Sequence, residues 1–517
     1  MRRILSSTFL LGILFPTATI IADWEGVGYT DLIDRLGGQS NTPNGEGIAV
    51  GQVEIANNGC YRANPDASHF TDVDFIYMSG STCNSSHANT VAKSYFGWPT
   101  SIAHGIPLAH FWEVNDFLQN GYLRINLSSS FPPLSPPNDL RVFNHSWIGS
   151  FNNSTNDNAV LRRADFAVVR DDTIWVNGVN NGANGQQLQL MSHMYNGIAV
   201  GLESGAHASA NTSGSVDGGG RQIPHIVVPA SQTSWGTPVV GAAAAILMEV
   251  EQLGEVPSIW ADESAVIKAC LLAGANKSTT WTNNPGTGSQ RGITGTPLDD
   301  VFGVGTLDIN RSHLIYTSQE QDGAARVPSR PTIGNTGWDF AFAAQDSSTY
   351  YRFTIHEQVD ELVFLATWHR LVNSSFSSYS FADVDLELHA VDSDGSLRSL
   401  VGDSGLADFE SGNVVSESVV DNVEHLHVRG LVAGDYVLEL SRKPGGSASS
   451  AQVGLAWIIP ETEPGSIPGD IDGDGFVNGV DLGLLLGAWG SGDPDADLDG
   501  SGFVDGVDLG VLLGNWF

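Results

Sequence analysis

Across residues 23–325, short apolar runs alternate with stretches of helical periodicity. Residues 48–55, 141–144, 173–176 and 197–202 are brief and apolar and predict strands, whereas 237–253 and 264–275 predict helices. Strands that alternate with helices in this way predict a parallel α/β sheet covered by helices on both faces. From about residue 331 the pattern changes. Runs at 350–355, 361–368, 384–391, 425–428, 435–442 and 453–459 mostly alternate apolar with polar residues, and turn residues at 392–395 and 433–435 separate them. That pattern, with no helical period between the runs, predicts an all-β sandwich over 330–459. Residues 460–469, PETEPGSIPG, read as a linker. Beyond it DIDGDGFVNGVDLGLLLGAWG starts at Asp470 and DLDGSGFVDGVDLGVLLGNWF at Asp497, an internal repeat of 27 residues filling 470–517.

The N-terminal residues have a different periodicity. Arg2 and Arg3 precede an apolar run at 4–15 and a small-residue exit at 16–22, the arrangement of an export signal cut after Ala18 or Ala22. The run is too short to span a bilayer and no later segment is apolar over about 20 residues, so no transmembrane anchor is expected. Composition agrees with export. The formal charge of −35 repels nucleic acid and anionic lipid and removes both from the partner list, while its carboxylates suit divalent cations. Of the three cysteines, Cys60 and Cys83 are candidates for an extracellular staple, and Cys270, inside a helical pattern, for an apolar filler. The chain is expected outside the cell, secreted or held at its surface.

Four segments carry chemistry. Thr233-Ser234-Trp235-Gly236-Thr237-Pro238 precedes VVGAAAAIL, placing a hydroxyl at the positive end of a small-residue helix. Ser85-Ser86-His87-Ala88-Asn89-Thr90-Val91-Ala92 offers a histidine, the side chain whose pKa suits removal of that hydroxyl's proton. Gly47-Ile48-Ala49-Val50-Gly51-Gln52-Val53-Glu54 is a strand that closes on a carboxylate, 33 residues before His87. Such a carboxylate would fix the imidazole tautomer and stabilise its cation; Gln52, on the same strand face, could orient the ring but not stabilise its charge. Ile174-Trp175-Val176-Asn177-Gly178-Val179-Asn180-Asn181-Gly182 supplies amides in a strand-to-loop turn.

Together these segments resemble the subtilisin-like serine peptidases, in the order acid, His, Asn, Ser. The resemblance implies Ser234 as nucleophile, His87 as base, Glu54 as acid with Gln52 as the alternative, and Asn180 as oxyanion donor with Asn177 and Asn181 as near alternatives. It also implies an acyl-enzyme and a peptide or protein substrate. Val142-Phe143-Asn144-His145-Ser146-Trp147-Ile148-Gly149 resembles the family's substrate-lining strand, which assigns Ser146, Trp147, Ile148 and Gly149 to substrate binding. Residues 195–201 and 302–309 resemble the strand after the oxyanion loop and the closing segment. Residues 383–395 and 425–442 resemble the β-sandwich domains, of pre-peptidase type, that follow secreted bacterial peptidases.

In the repeat, oxygens fall at the first, third, fifth, seventh, ninth and twelfth positions of a calcium loop, with glycine at the sixth. The first copy offers Asp470, Asp472, Asp474, the Phe476 carbonyl, Asn478 and Asp481; the second offers Asp497, Asp499, Ser501, the Phe503 carbonyl, Asp505 and Asp508. Aspartate at the twelfth position, with one helix after each loop, resembles the duplicated dockerin repeat. The resemblance implies two Ca2+ ions, a small α-helical domain and a cohesin-like partner. Gly479-Val480 and Gly506-Val507 lack the hydroxyls common at dockerin recognition positions, and a cell-envelope partner is the alternative.

Overall fold

The computed structural model describes residues 24–80, 83–444, 447–448, 450–459, 469, 471, 477–493, 496–498 and 501–516. The export signal, all but the last residue of the linker, and Asp470, Asp472, Asp474, Phe476 and Asp499 lie outside the described residues. The chain forms two compact units, 1–459 and 460–517.

Seven strands form a parallel sheet in the first unit: β1 (Ala49–Glu54), β2 (Asp74–Tyr77), β3 (Leu108–Glu113), β4 (Val142–His145), β5 (Ile174–Gly178), β6 (Ile198–Leu202) and β7 (Ile226–Val228). Their order is β2-β3-β1-β4-β5-β6-β7. Every residue of β1, β4, β5 and β6 is buried, as a sheet covered on both faces requires. After β1 the chain builds β2 and β3 on one side, then crosses to build β4 onward on the other. The carboxyl ends of β1 and β4 therefore flank the reversal point, where open α/β sheets leave a crevice.

Four helices matter for that crevice: α1 (Ser86–Phe96), α2 (Ser154–Asp171), α3 (Thr233–Gln252) and α4 (Ser264–Ala273). The small residues of α3 bring it close to the sheet. A Cβ on Gly241 would stand 3.0 Å from Tyr95 of α1 and 3.2 Å from Val176 of β5, so both neighbours press on this one turn. The helix starts at Thr233, four residues earlier than its apolar period predicts, because Asn181 Oδ1 accepts from the Thr233 N–H at 2.9 Å and from its hydroxyl at 3.2 Å. Cys60 and Cys83 form a disulfide, and Cys270 is a buried free thiol within α4.

Two further sheets follow. One contains Thr336–Ala344, Leu362–Trp368, Ser411–Asn413, Val423–Arg429 and Ser450–Ile458; the other contains Ser347–Ile355, Val384–Val391, Val415–Ser416 and Gly434–Arg442, with Ile293–Thr294 at its edge. They share a core that includes Tyr351, Phe353, Phe364, Leu386, Leu438 and Trp457. The change of pattern near residue 330 is not a seam in the packing. Trp338, Phe340, Val363, Leu365 and Ala456 belong to the same apolar cluster as α3 and α4. All ten residues of α4 are buried, and a Cβ on Gly454 would lie 2.3 Å from the Ala265 carbonyl, so strand and helix touch backbone to backbone. A buried ion pair ties the same regions together: Arg370 Nε donates to Asp165 of α2 at 2.5 Å, with side chains 1% and 0% exposed. Among the described residues no helix is long and apolar enough to cross a membrane.

The second unit has helices Gly479–Gly487 and Gly506–Gly514, one after each loop, capped by Asn478 and Asp505. Val477, Leu485, Ala496, Val504 and Leu512 form its core, in which Val477 matches Val504 and Leu485 matches Leu512 across the repeat.

Candidate active site

Glu54 ends β1, 1% exposed, and its Oε2 accepts from His87 Nδ1 at 2.8 Å. His87 lies in the first turn of α1, whose cap Ser85 accepts from the Ala88 N–H. Burial resists charge on the ring, but the Glu54 charge and hydrogen bond more than offset it, so the His87 pKa is raised above 6.5. The remaining ring nitrogen, Nε2, is then the one available as a base.

Ser234 occupies the first turn of α3, next to Trp235, whose ring centroid is 5.1 Å from that of His87. Pro238 stands four residues further on and has no N–H for the Ser234 carbonyl. That carbonyl accepts from the Ser146 hydroxyl at 3.0 Å instead, and the Ser234 hydroxyl donates to the Ser146 carbonyl at 3.4 Å. The nucleophile candidate is thereby fastened to the segment that leaves β4. Three N–H groups of the α3 first turn are taken, Thr233 by Asn181 and Trp235 and Gly236 by the Gln232 carbonyl at 3.0 and 3.1 Å, and the positive end of the helix favours negative charge beside Ser234.

The three asparagines have separate places. Asn177 is buried within β5, and its amide lies 3.6 Å from Met194 Sδ. Asn180 sits on the loop after β5 and donates to the Gln186 carbonyl at 3.0 Å. Asn181 caps α3. The residues assigned to substrate binding also divide. Ser146 holds Ser234, Ile148 is half-buried, and the Gly149 carbonyl accepts from the Leu190 N–H at 2.9 Å. Trp147 is packed into the core at 5% exposure, its indole donating to His145 Nδ1 at 3.1 Å. Burial pushes the His145 pKa down to about 3, so that ring stays neutral.

Two contacts escape motif reasoning: the Ser146–Ser234 pair, signalled only by Pro238, and the tilted ring contact of Trp235 with His87. Glu54 with His87, and Ser146 with Ser234, form two hydrogen-bonded pairs beyond the carboxyl ends of β1 and β4, linked by the ring contact between His87 and Trp235, the set of groups that activation of a hydroxyl for attack on a carbonyl requires.

In the second unit, buried Asp481 accepts from the N–H groups of Ile471 at 2.7 Å and Asn478 at 2.8 Å, and buried Asp508 from that of Asp505 at 2.6 Å. Asn478 and Asp505 each accept from the N–H two residues on, at 2.8 Å, and the Ser501 hydroxyl donates to the Phe503 carbonyl at 3.1 Å. Asp497 accepts from Ser501 and Gly502 N–H at 3.0 and 2.7 Å, folding the second loop about its first carboxylate. Residues 460–517 contain no Lys, Arg or His. Oxygen donors around buried carboxylates, without a cationic side chain, fit a hard divalent cation such as Ca2+.

No protein-family profile matches this chain, and no curated protein matches it. Among solved structures it is similar to proteases from Pseudoalteromonas arctica, at 13% identity over 57% of this chain and 96% of that one, with a TM-score of 0.37. It is also similar to a cold-adapted subtilisin-like serine proteinase, at 14% identity over 46% and 84% of the two chains and a TM-score of 0.30. A serine protease of Aeromonas sobria is similar at 14% identity, 80% and 88% coverage and a TM-score of 0.32.

Proposed function

We propose that this chain is a secreted serine endopeptidase of subtilisin-like design, working through an acyl-enzyme. The observation that carries the reading is the 2.8 Å bond from His87 Nδ1 to buried Glu54, beside a helix mouth that presents Ser234. Ser234 Oγ attacks the peptide carbonyl carbon while His87 Nε2 takes its proton. The oxyanion is met by the Ser234 N–H at the start of α3 and, once its loop bond to Gln186 is released, by the Asn180 amide. Collapse expels the amine, which takes the proton from His87, and water then cleaves the ester by the same route. Ile148 and its neighbours after β4 would pair with an extended substrate backbone. The β-rich region and its sandwich-like core buttress the body.

The second unit would hold two Ca2+ ions through the twelve positions named above, each ion neutralising a loop and coupling its folding to metal. Its apolar helices would attach the enzyme to a cohesin-like or cell-envelope partner. A fluorophosphonate probe tests the central claim. Labelling mapped to Ser234, lost in Ser234→Ala along with casein hydrolysis while secretion persists, supports it; undiminished hydrolysis by Ser234→Ala overturns it. A second reading, a peptide-binding protein without turnover, is favoured by the bonds that hold the Ser234 hydroxyl on Ser146 and the Asn180 amide on Gln186. Absence of labelling in a folded chain would select it.

A further inference from the structure

Gln52 lies two residues before Glu54 on the same face of β1, and it is 0% exposed. Its Nε2 donates twice: to Glu54 Oε1 at 2.8 Å and to the backbone carbonyl of Ala88 at 2.9 Å. Both partners are pure acceptors, so the amide has one workable orientation; turned over, its oxygen would face a carboxylate and a carbonyl. In that orientation Gln52 Oε1 is buried without a hydrogen-bond partner, which costs stability. An apolar side chain of similar volume would avoid that cost, so something other than packing accounts for an amide here.

We infer that Gln52 is the positioning residue of the catalytic carboxylate, an inference that rests on the Ser234–His87–Glu54 reading above. Glu54 carries one methylene more than an aspartate and one more rotatable bond, so the strand alone does not fix which oxygen meets the imidazole. The hydrogen bond from Gln52 occupies Oε1 and leaves Oε2 for His87 Nδ1. Its second bond reaches the residue that follows His87 in α1. One amide thus joins the strand that bears the acid to the helix that bears the base. A hydrogen bond to a charged group on this scale is worth about ten- to a hundredfold in an equilibrium or a rate.

The test is a kinetic cycle on the full chain, with Gln52→Met, which keeps the volume, Glu54→Gln, and the double variant. Gln52→Met is expected to lower kcat about ten- to a hundredfold, with KM little changed, because it disturbs the acid and not the cleft. In the Glu54→Gln background the same replacement is expected to have no further effect, since a residue acting through Glu54 has nothing left to position. The low-field proton resonance of His87 Nδ1–H gives a second readout, expected to shift or broaden in Gln52→Met in a chain whose melting temperature shows it folded. Equal losses in both backgrounds would make Gln52 a packing residue and overturn the inference, as would a silent Gln52→Met beside a damaging Glu54→Gln. A silent Glu54→Gln would instead remove the triad reading itself. Gln52→Leu, which keeps the apolar bulk without the sulfur, repeats the cycle if Gln52→Met fails to fold.

Discussion

The two units of the chain each bury carboxylates, and they balance them differently. In the first unit, Glu54 meets a titratable ring and a side-chain amide, and Asp165 meets Arg370. In the second, Asp481 and Asp508 accept backbone N–H groups, in a stretch without a basic side chain. A buried charge is tolerated where its counter-charge is at hand. The first unit carries that counter-charge in its own sequence; the second has no basic residue, and the Ca2+ proposed for it would come from solution.

Glu54→Gln should show the largest effect. An amide cannot stabilise the imidazolium, and turnover of peptide substrates is expected to fall by on the order of 10⁴, the scale of acid removal in the serine triad. A variant within tenfold of the parent would mean that the 2.8 Å contact is structural only. Chelation should sharpen the contrast next. Hydrogen exchange on the intact chain is expected to rise across 477–516 while β1, β4 and α3 keep their protection, and calorimetric titration should return two Ca2+ per chain. Protection across 477–516 that survives chelation would show that backbone donors alone suffice for Asp481 and Asp508.

Arg370→Met should follow, lowering the stability of the first unit by about 3–5 kcal/mol in denaturant titration, because Asp165 would stay buried without its cation. A loss below about 1 kcal/mol would mean that the Asn196 and Tyr195 N–H groups, which also reach Asp165, satisfy it unaided. The smallest effect is on pH. The His87 pKa is raised and the base must be neutral, so the acid limb of kcat/KM should fall above pH 6.5 and move down in Glu54→Gln. The sign for stability is opposite. The pair stabilises the fold fully below pH 6.5, and that contribution fades as pH rises through the raised value, so activity grows as this stabilisation is lost.

Much of the architecture was legible because buried parallel strands and the small-residue helix announce themselves by composition: β1, β4, β5, β6, α3 and α4 fall within a few residues of their apolar runs. The rest was not, for physical reasons. α2 is mixed in polarity and depends on its Asn153 cap, which accepts from two N–H groups, and β3 carries His110 fully buried, so neither has a clean period. At the site, spacing places Gln52 and Glu54 on one face but does not say which reaches His87. That depends on side-chain reach across to α1, a tertiary distance. Asn180 and Asn181 are equally indistinct in the sequence, and only the position of the α3 mouth separates the loop amide from the helix cap.

The backbone contact between Gly454 and Ala265 also sets a timetable. Glu54, His87 and Ser234 are all synthesised before residue 240, yet α4, packed behind the helix that carries Ser234, has its far side closed by strands ending at Ile458. A ribosome that has made the three side chains has therefore not yet made their housing. The hydroxyl, the ring and the carboxylate can be held by the complete body only after its last strand has emerged.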